Sequence, residues 1–206
     1  DDNGLVLPPA VAPVQVVIVP IAQHKEGVLD KANELYNTLK NAGIRVKLDD
    51  SEQSPGWKFA QYEMKGVPLR LEIGPRDIEE GHCIAAVRYS GEKQTVSLEN
   101  DFDTLVQKLH ALLDKDIPEG MFAKAAENRA NRTYACTTLD EINKALEKGD
   151  GFIKAMWCGE EACEDEVKAK TGVGSRCIPF EQEHLSDVCV CCGKPAKHMV
   201  YWGKAY

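Results

Sequence analysis

The chain has 206 residues, of which 43% are hydrophobic and 28% charged, and its formal net charge is −8. This length and composition suit one large or two small globular domains, and no apolar run is long enough to span a membrane. Neither half of the chain is basic, so a nucleic acid would have to bind a local cluster of basic side chains, since the net charge would repel it.

Strand-like and helix-like segments alternate through the first hundred residues. The apolar run at 14–21 predicts a buried central strand, and the apolar spacing at 25–41 predicts a helix that ends at Gly43. Further strands are predicted at 44–48, 68–73 and 83–89, with a second helix opened by Pro55 and Gly56. This order predicts an α/β domain with a mainly parallel sheet, made mixed by the hairpin-like pair at its end.

A domain boundary is predicted near residue 118. A long helix at 102–113 closes the first domain, and Pro118 and Gly120 follow it as helix breakers. We therefore assign residues 14–117 to the first domain and 118–206 to a small α+β domain. In the second, we expect a polar helix at 122–134, a helix through Leu146 capped by Thr138 or Asp140, and strands at 152–157 and 199–202.

Four cysteines form two close pairs within the last fifty residues: Cys158 with Cys163, and Cys189 with Cys192. Four thiolates are the usual closed ligand set of a structural zinc ion, which leaves no open position for substrate or water. The alternatives are disulfides or buried thiols. Because no signal-peptide core is present, we expect a cytoplasmic protein, in which disulfides are rare. The pattern favours a zinc site that stabilises the fold.

Cys191 is an alternative fourth ligand, although Cys192, followed by Gly193, better fits the tight knuckle of a zinc site. The same thiol cluster leaves open a thiol redox protein. A redox pair is expected at the start of a helix, however, and Gly193-Lys194-Pro195 stands there instead.

Seven short motifs follow one another along the chain. They are DDNGLVLPP at 1–9, APVQVVIVPI at 12–21, PGWKF at 55–59, EIGPRD at 72–77, WCG at 157–159, RCIPF at 176–180 and WGKAY at 202–206. In this order they resemble prolyl-tRNA synthetases of the archaeal and eukaryotic type, over essentially the whole chain.

The resemblance implies a function for each part of the chain. Residues 1–13 would be the tail of a catalytic domain, so that a chain beginning at Asp1 is expected to be a fragment of a longer protein. The first domain would be a class II anticodon-binding domain with a five-stranded mixed sheet and three helices, and the second a zinc-binding domain. The parent, a homodimer, would ligate proline to its tRNA with ATP. The fragment, which can be monomeric, would hold no catalytic residues.

The resemblance also directs attention to the segment from Glu72 to Asp77, because proline anticodons share two guanines. Arg76 offers the fork that matches guanine O6 and N7, and Glu72 or Asp77 can accept from N1 and N2. Arg88 could hold a base edge or a phosphate. In the alternative interpretation, Arg76 and Asp77 pair with each other or cap the turn that begins at Gly74.

Two expectations concern aromatic side chains. Trp57 and Phe59 could form a stacking surface, but on a helix of this kind they are more often core residues. The resemblance implies that the terminal carboxylate of Tyr206 packs toward the catalytic domain and has an orienting role.

One other class of function remains open. An accessory protein that is not a synthetase could use the same fold to bind RNA or a protein partner, because a fold alone does not determine function. The motif at 1–9 argues against it, since that motif has meaning only after a catalytic domain.

Overall fold

The structure is a computed structural model that describes residues 1–99 and 102–205. The chain forms two compact units, Asp1–Ala123 and Lys124–Tyr206. The prediction for Tyr206 lies outside the described residues. In the part of the chain that is described, no helix has both the length and the apolar character needed to cross a membrane.

The first unit is built on a mixed five-stranded sheet in the order β2-β1-β3-β4-β5. The strands are β1 Val16–Pro20, β2 Val46–Leu48, β3 Leu69–Ile73, β4 His82–Val87 and β5 Lys93–Ser97. Strand β1 pairs in parallel with β2 and β3, whereas β3, β4 and β5 pair antiparallel in sequence. The prediction of a mixed α/β sheet is confirmed, although β5 was not recognised from the sequence.

Helices cover both faces of this sheet. They are α1 Val28–Asn41, α2 Pro55–Met64, the short α3 Pro75–Glu79 and α4 Asp103–Ala111, followed by a π-helical turn at Leu112–Asp116 and by α5 Ile117–Asn131. Helix α2 begins where predicted because Pro55 occupies its first position and the Ser54 hydroxyl accepts the Trp57 amide proton at 3.4 Å. Helix α3 begins directly after Gly74, where the sequence indicated a turn.

Pro118 and Gly120 do not break the chain, contrary to our interpretation of them as helix breakers. Both lie in the first turn of α5, directly after the π-helical turn. A π turn is wider than an α turn and can accommodate a residue that lacks an amide proton. Gly120 is there for a different reason, because a Cβ at this position would overlap the Tyr89 hydroxyl. Both residues therefore fit the helix, and the break between the compact units falls inside α5.

The second unit has a four-stranded sheet in the order β6-β7-β9-β8. Its strands are β6 Thr133–Ala135, β7 Phe152–Trp157, β8 Val173–Cys177 and β9 His198–Lys204, and its further helices are α6 Leu139–Glu147 and α7 Glu161–Thr171. Strands β6 and β7 are parallel, and β9 is antiparallel to both β7 and β8. The core includes the fully buried side chains of Ile153, Val167 and Trp202.

Three details of this unit differ from the prediction. Tyr134, predicted to end a helix, lies in β6, which forms because it pairs with β7 along Thr133–Ala135. Strand β8 and helix α7 were not predicted. Helix α7 begins with Glu161 and Glu164 in its first turn, where the helix dipole favours negative charge. The N-cap prediction for Thr138 is confirmed by its bond to the Glu141 amide at 3.2 Å.

Candidate functional sites

The four predicted ligand cysteines lie together in the second unit. The Sγ atoms of Cys158, Cys163, Cys189 and Cys192 all lie within 4.8 Å of one another. Cys158 directly follows β7, Cys163 lies in the first turns of α7, and the other two belong to a loop before β9. The structure brings Cys192, and not Cys191, into this group. Four cysteines in this arrangement could hold a metal ion.

Backbone hydrogen bonds shape the loop that carries the second cysteine pair. The Cys189 amide donates to the Lys194 carbonyl at 2.8 Å. Gly193 turns the chain with a φ of 71°, and its amide donates to the Cys189 carbonyl. The Val190 amide donates to the Met156 carbonyl at 2.9 Å, which attaches the loop to β7. The position of the thiols is therefore fixed by main-chain contacts.

The thiols differ in how readily they lose a proton. Burial raises the pKa of the Cys158 and Cys163 thiols. The backbone amide of Lys194 lowers the pKa of Cys192 to about 7, although burial opposes this effect. Burial, with Glu166 nearby, raises the pKa of Cys191 to about 11. Because thiolates are the metal-binding form, the lowered pKa of Cys192 favours metal binding at this thiol.

The first unit contains a charged cleft of about 190 Å³ beside the end of α2. Its lining includes Glu63 on α2, Arg70 on β3, Arg88 after β4 and Lys93 on β5. The Arg70 guanidinium lies 3.9 Å from the centre of the Phe59 ring. Basic side chains thus line the cleft, and one of them, Arg70, packs against an aromatic ring.

Ion pairs hold the Arg70 guanidinium in place. Arg70 Nη1 donates to Glu63 at 2.9 Å, and its Nη2 and Nε donate to Glu72 at 2.9 and 3.1 Å. Glu72 also contacts Lys93 Nζ at 3.0 Å. The side chain of Arg70 is 11% exposed, so it is a largely buried fork with one face on an aromatic ring.

The structure separates the four residues predicted to contact RNA. Glu72 lies next to the cleft and accepts a hydrogen bond from Arg70, which lines it. Arg88 also lines the cleft, and its Nε donates to the Glu63 carbonyl at 3.1 Å. Asp77 lies on α3, where its carboxylate accepts the Gly74 amide at 2.7 Å. That is the capping role of our alternative interpretation.

Arg76 and Arg88 differ in their partners. The Arg76 side chain is exposed, without an ion pair to any described carboxylate. Arg88 forms two bonds to the Asp1 carboxylate, at 2.6 and 2.8 Å. Asp1 therefore neutralises Arg88 at one end of the cleft.

Sequence reasoning missed Glu63, Arg70 and Lys93, and it favoured a core position for Phe59. Two patterns could have linked Glu63 and Arg70 to residues already considered. Arg70 and Glu72 alternate with leucines in β3 and so share one face, and Phe59 and Glu63 are four residues apart on α2 and so share another. No local pattern distinguishes Lys93.

The prediction for the Trp57-Lys58-Phe59 segment is partly wrong. Trp57, favoured as a core residue, is 49% exposed, whereas Lys58 is 1% exposed. Phe59 is half-buried against Val17 and Val19. The helix therefore turns Lys58 inward and, of its three aromatic residues, Trp57 outward.

Two family models match the chain in the order of its units. The model described as "Anticodon binding domain" matches residues 15–108, and the one described as "Prolyl-tRNA synthetase, C-terminal" matches residues 139–206. The mixed sheet and these matches define the class: an anticodon-binding domain of an aminoacyl-tRNA synthetase with a second domain appended.

Relatives over the full 206 residues specify the synthetase. The chain is 57% identical to the proline-tRNA ligase of Ruminiclostridium cellulolyticum, 56% to proline-tRNA ligase 2 of Bacillus thuringiensis subsp. konkukian and 53% to the proline-tRNA ligase of Clostridium botulinum. The chain belongs to the prolyl-tRNA synthetase family, as its motifs predicted. It spans 42% of the length of these relatives.

Proposed function

We propose that this chain is the tRNA-binding part of a cytoplasmic prolyl-tRNA synthetase. The whole protein would be a homodimer that joins proline to its tRNA with ATP. Residues 1–13 would connect these domains to the catalytic domain, and the chain itself would supply no catalytic residue. The match to an anticodon-binding domain supports this proposal, and the charged cleft gives it a chemical basis.

The cleft would read guanine through Arg70. Guanine presents O6 and N7 as acceptors, which suit a guanidinium fork, and N1 and N2 as donors, which suit a carboxylate. Arg70 supplies the donor fork, and Glu63 and Glu72 supply the acceptors, within one contact network. Packing against the Phe59 ring helps to hold the guanidinium in its orientation. The single observation that carries this proposal is this guanidinium, oriented by two carboxylates and one ring. Lys93, whose side chain is 53% exposed, would then contact a phosphate, and Arg88 could do so only if it left Asp1.

We further propose that the metal is zinc and that it is structural. In a tetrahedral site with Zn–S bonds of about 2.3 Å, neighbouring sulfurs lie about 3.8 Å apart. The Sγ atoms of Cys158 and Cys192 are separated by 3.8 Å, far beyond the length of a disulfide bond. The four thiols fit the ion and leave it no open position, so it would fix the end of β7 to α7 and to the loop before β9.

Fluorescence anisotropy with an anticodon hairpin tests the guanine site. The probe carries the two shared guanines, and a second hairpin carries adenines in their place. Arg70→Lys keeps the charge but loses the fork, so we expect roughly 5- to 150-fold weaker binding of the guanine hairpin, since one bidentate base contact contributes about 1–3 kcal/mol. The adenine hairpin should bind both proteins equally.

Arg76→Ala is the matched control, because Arg76 is an exposed arginine on neighbouring α3. It should change binding of the guanine hairpin by less than threefold. A larger loss for Arg76→Ala than for Arg70→Lys would move the reading site from the cleft to the segment first predicted.

A further inference from the structure

The second unit contains a groove that neither domain match explains. It measures about 760 Å³ and lies where the end of α5, the start of β7 and the end of β9 meet. Four basic residues and one acidic residue line it: Arg129, Arg132, Arg176, Lys204 and Asp150. In a chain with a net charge of −8, such a local excess of positive charge is a feature to explain.

The basic side chains are available to a ligand. Arg129 lies in the last turn of α5, and Arg132 follows directly after the helix, whose last residue is Asn131. Together with Lys204 they are exposed, and none forms an ion pair with a carboxylate in residues 1–99 or 102–205. Arg176 is oriented by a bond from its Nη2 to the Gly203 carbonyl at 2.8 Å.

An aromatic ring stands among these charges. Phe152 is 43% exposed, and its ring lies edge-to-face with Tyr201, with centroids 6.2 Å apart and planes at 85°. Its amide donates to the Arg132 carbonyl at 2.8 Å, and the residue pairs with Gly203 across β7 and β9. The exposed ring is therefore held on a fixed backbone beside the arginines.

We propose that this groove binds single-stranded RNA, with phosphates on Arg129, Arg132 and Lys204 and a base stacked on Phe152. A positively charged groove with an aromatic ring in it is the arrangement that binds single strands without reading their sequence. Exposed arginines without ion-pair partners can bind phosphates, and any of the four bases can stack on the Phe152 ring. The proposal goes beyond the guanine cleft, which lies in the other compact unit.

An octaadenylate labelled with fluorescein tests the groove, because it contains no guanine for the cleft to read. Binding to the whole 206-residue chain is followed by anisotropy. The salt concentration is varied from about 50 to 200 mM, a range over which phosphate contacts weaken measurably. Arg129→Gln/Arg132→Gln removes two phosphate contacts, so affinity at the lowest salt should fall about tenfold or more, and the salt slope should fall by about 1.4. Phe152→Ala should weaken binding about tenfold and leave the slope unchanged.

The matched control is Lys144→Gln/Lys168→Gln, which removes the same charge from two exposed positions of the same unit that do not line the groove. It should change affinity by less than threefold. All variants should keep the far-ultraviolet circular dichroism of the parent chain. A parent chain that does not bind the octamer at the lowest salt, or equal losses in the groove and control variants, would overturn the proposal.

Two further results separate this proposal from others. Arg70→Lys should leave octaadenylate binding unchanged, so a failure of the guanine site and a failure of the groove are distinguishable. If a hexaglutamate peptide displaces the octamer at a lower concentration than unlabelled octaadenylate does, the groove binds an acidic protein segment, and the RNA proposal is wrong.

Discussion

Replacement of Lys58 by methionine tests how a buried charge supports the anticodon-binding domain. Lys58 Nζ donates to the Asp49 carbonyl at 2.8 Å and to Gln23 Oε1 at 3.2 Å, and it lies 3.7 Å from Asp49 Oδ1. The exposed fractions of the lysine and aspartate side chains are 1% and 7%. Methionine would keep most of the volume of the lysine and remove its charge and its hydrogen bonds.

The expected loss follows from what remains around Asp49. Removing one partner of a buried ion pair costs about 3–5 kcal/mol, because the other charge stays buried without compensation. Ser51 still donates to the carboxylate from its hydroxyl at 2.6 Å and from its amide at 3.1 Å. We therefore expect the lower end of the range, a decrease of about 3 kcal/mol in the free energy of unfolding of the first unit at pH 7.

Hydrogen exchange of the β1 amides measures this loss, because these buried amides exchange only when the first unit opens, whatever the second unit does. Lys25→Met, at an exposed position, is the control and should change the free energy by less than about 0.5 kcal/mol. A loss below about 1 kcal/mol for Lys58→Met would mean that the pair is replaceable by apolar packing, as happens with some buried ion pairs.

The same variant should have a pH signature. Burial acts to raise the pKa of Asp49, but hydrogen bonds from Ser51 and Tyr62 and the charge of Lys58 together lower it. A lowered pKa stabilises the fold above the unfolded value of about 3.9, and this contribution disappears as the pH falls through the folded value. The difference between parent and Lys58→Met should therefore shrink below about pH 4. A constant difference would refute the role of the ionised carboxylate.

Three further predictions concern the second unit. Gly151→Ala would place a Cβ on the Arg132 carbonyl oxygen, a backbone atom that cannot move aside, so thermal unfolding should show a loss of roughly 2 kcal/mol or more. Cys163→Ser should lower the metal content, measured by atomic absorption, from about one ion per chain to less than half. Cys191→Ser should retain the full metal content. An equal loss of metal in both variants would exclude the four-thiol site. Thr138→Ala removes the N-cap of α6 and should cost about 1 kcal/mol in urea unfolding; Thr138→Ser should restore most of it.

Much of the fold could be predicted from periodicity. The runs at 14–21 and 152–157 contain β1 and β7, and the apolar spacing of residues 25–41 marks α1, because burial on a strand or a helix face leaves a regular pattern. Pro118 and Gly120 were misinterpreted because their roles depend on a preceding π turn and on contact with Tyr89, which is distant in the sequence. Such tertiary effects leave no local signal.

The two sites were predictable to different degrees. The thiol site depends on spacing along the chain, so its four members could be named, and the structure brings them within 4.8 Å. The cleft depends on contacts between elements that are distant in the sequence. Arg70 on β3 forms an ion pair with Glu63 on α2, and Lys93 on β5 forms one with Glu72 on β3. Glu72 and Arg88 could be named from the sequence, whereas Arg76 and Asp77, named with them, lie on α3 and do not line the cleft.

The ion pairs of the cleft also bear on what it can discriminate. Glu63 and Glu72 both already contact Arg70 in the free protein, so a guanine that enters must exchange partners with groups that are satisfied without it. The exchange offsets much of the gain from each new contact, and the affinity from base contacts alone should be modest. A wrong base cannot complete the exchange and leaves a carboxylate or a guanidinium edge unpaired in a largely buried place, which is costly. The same network therefore favours selectivity for guanine over tight binding, and phosphate contacts must supply most of the affinity.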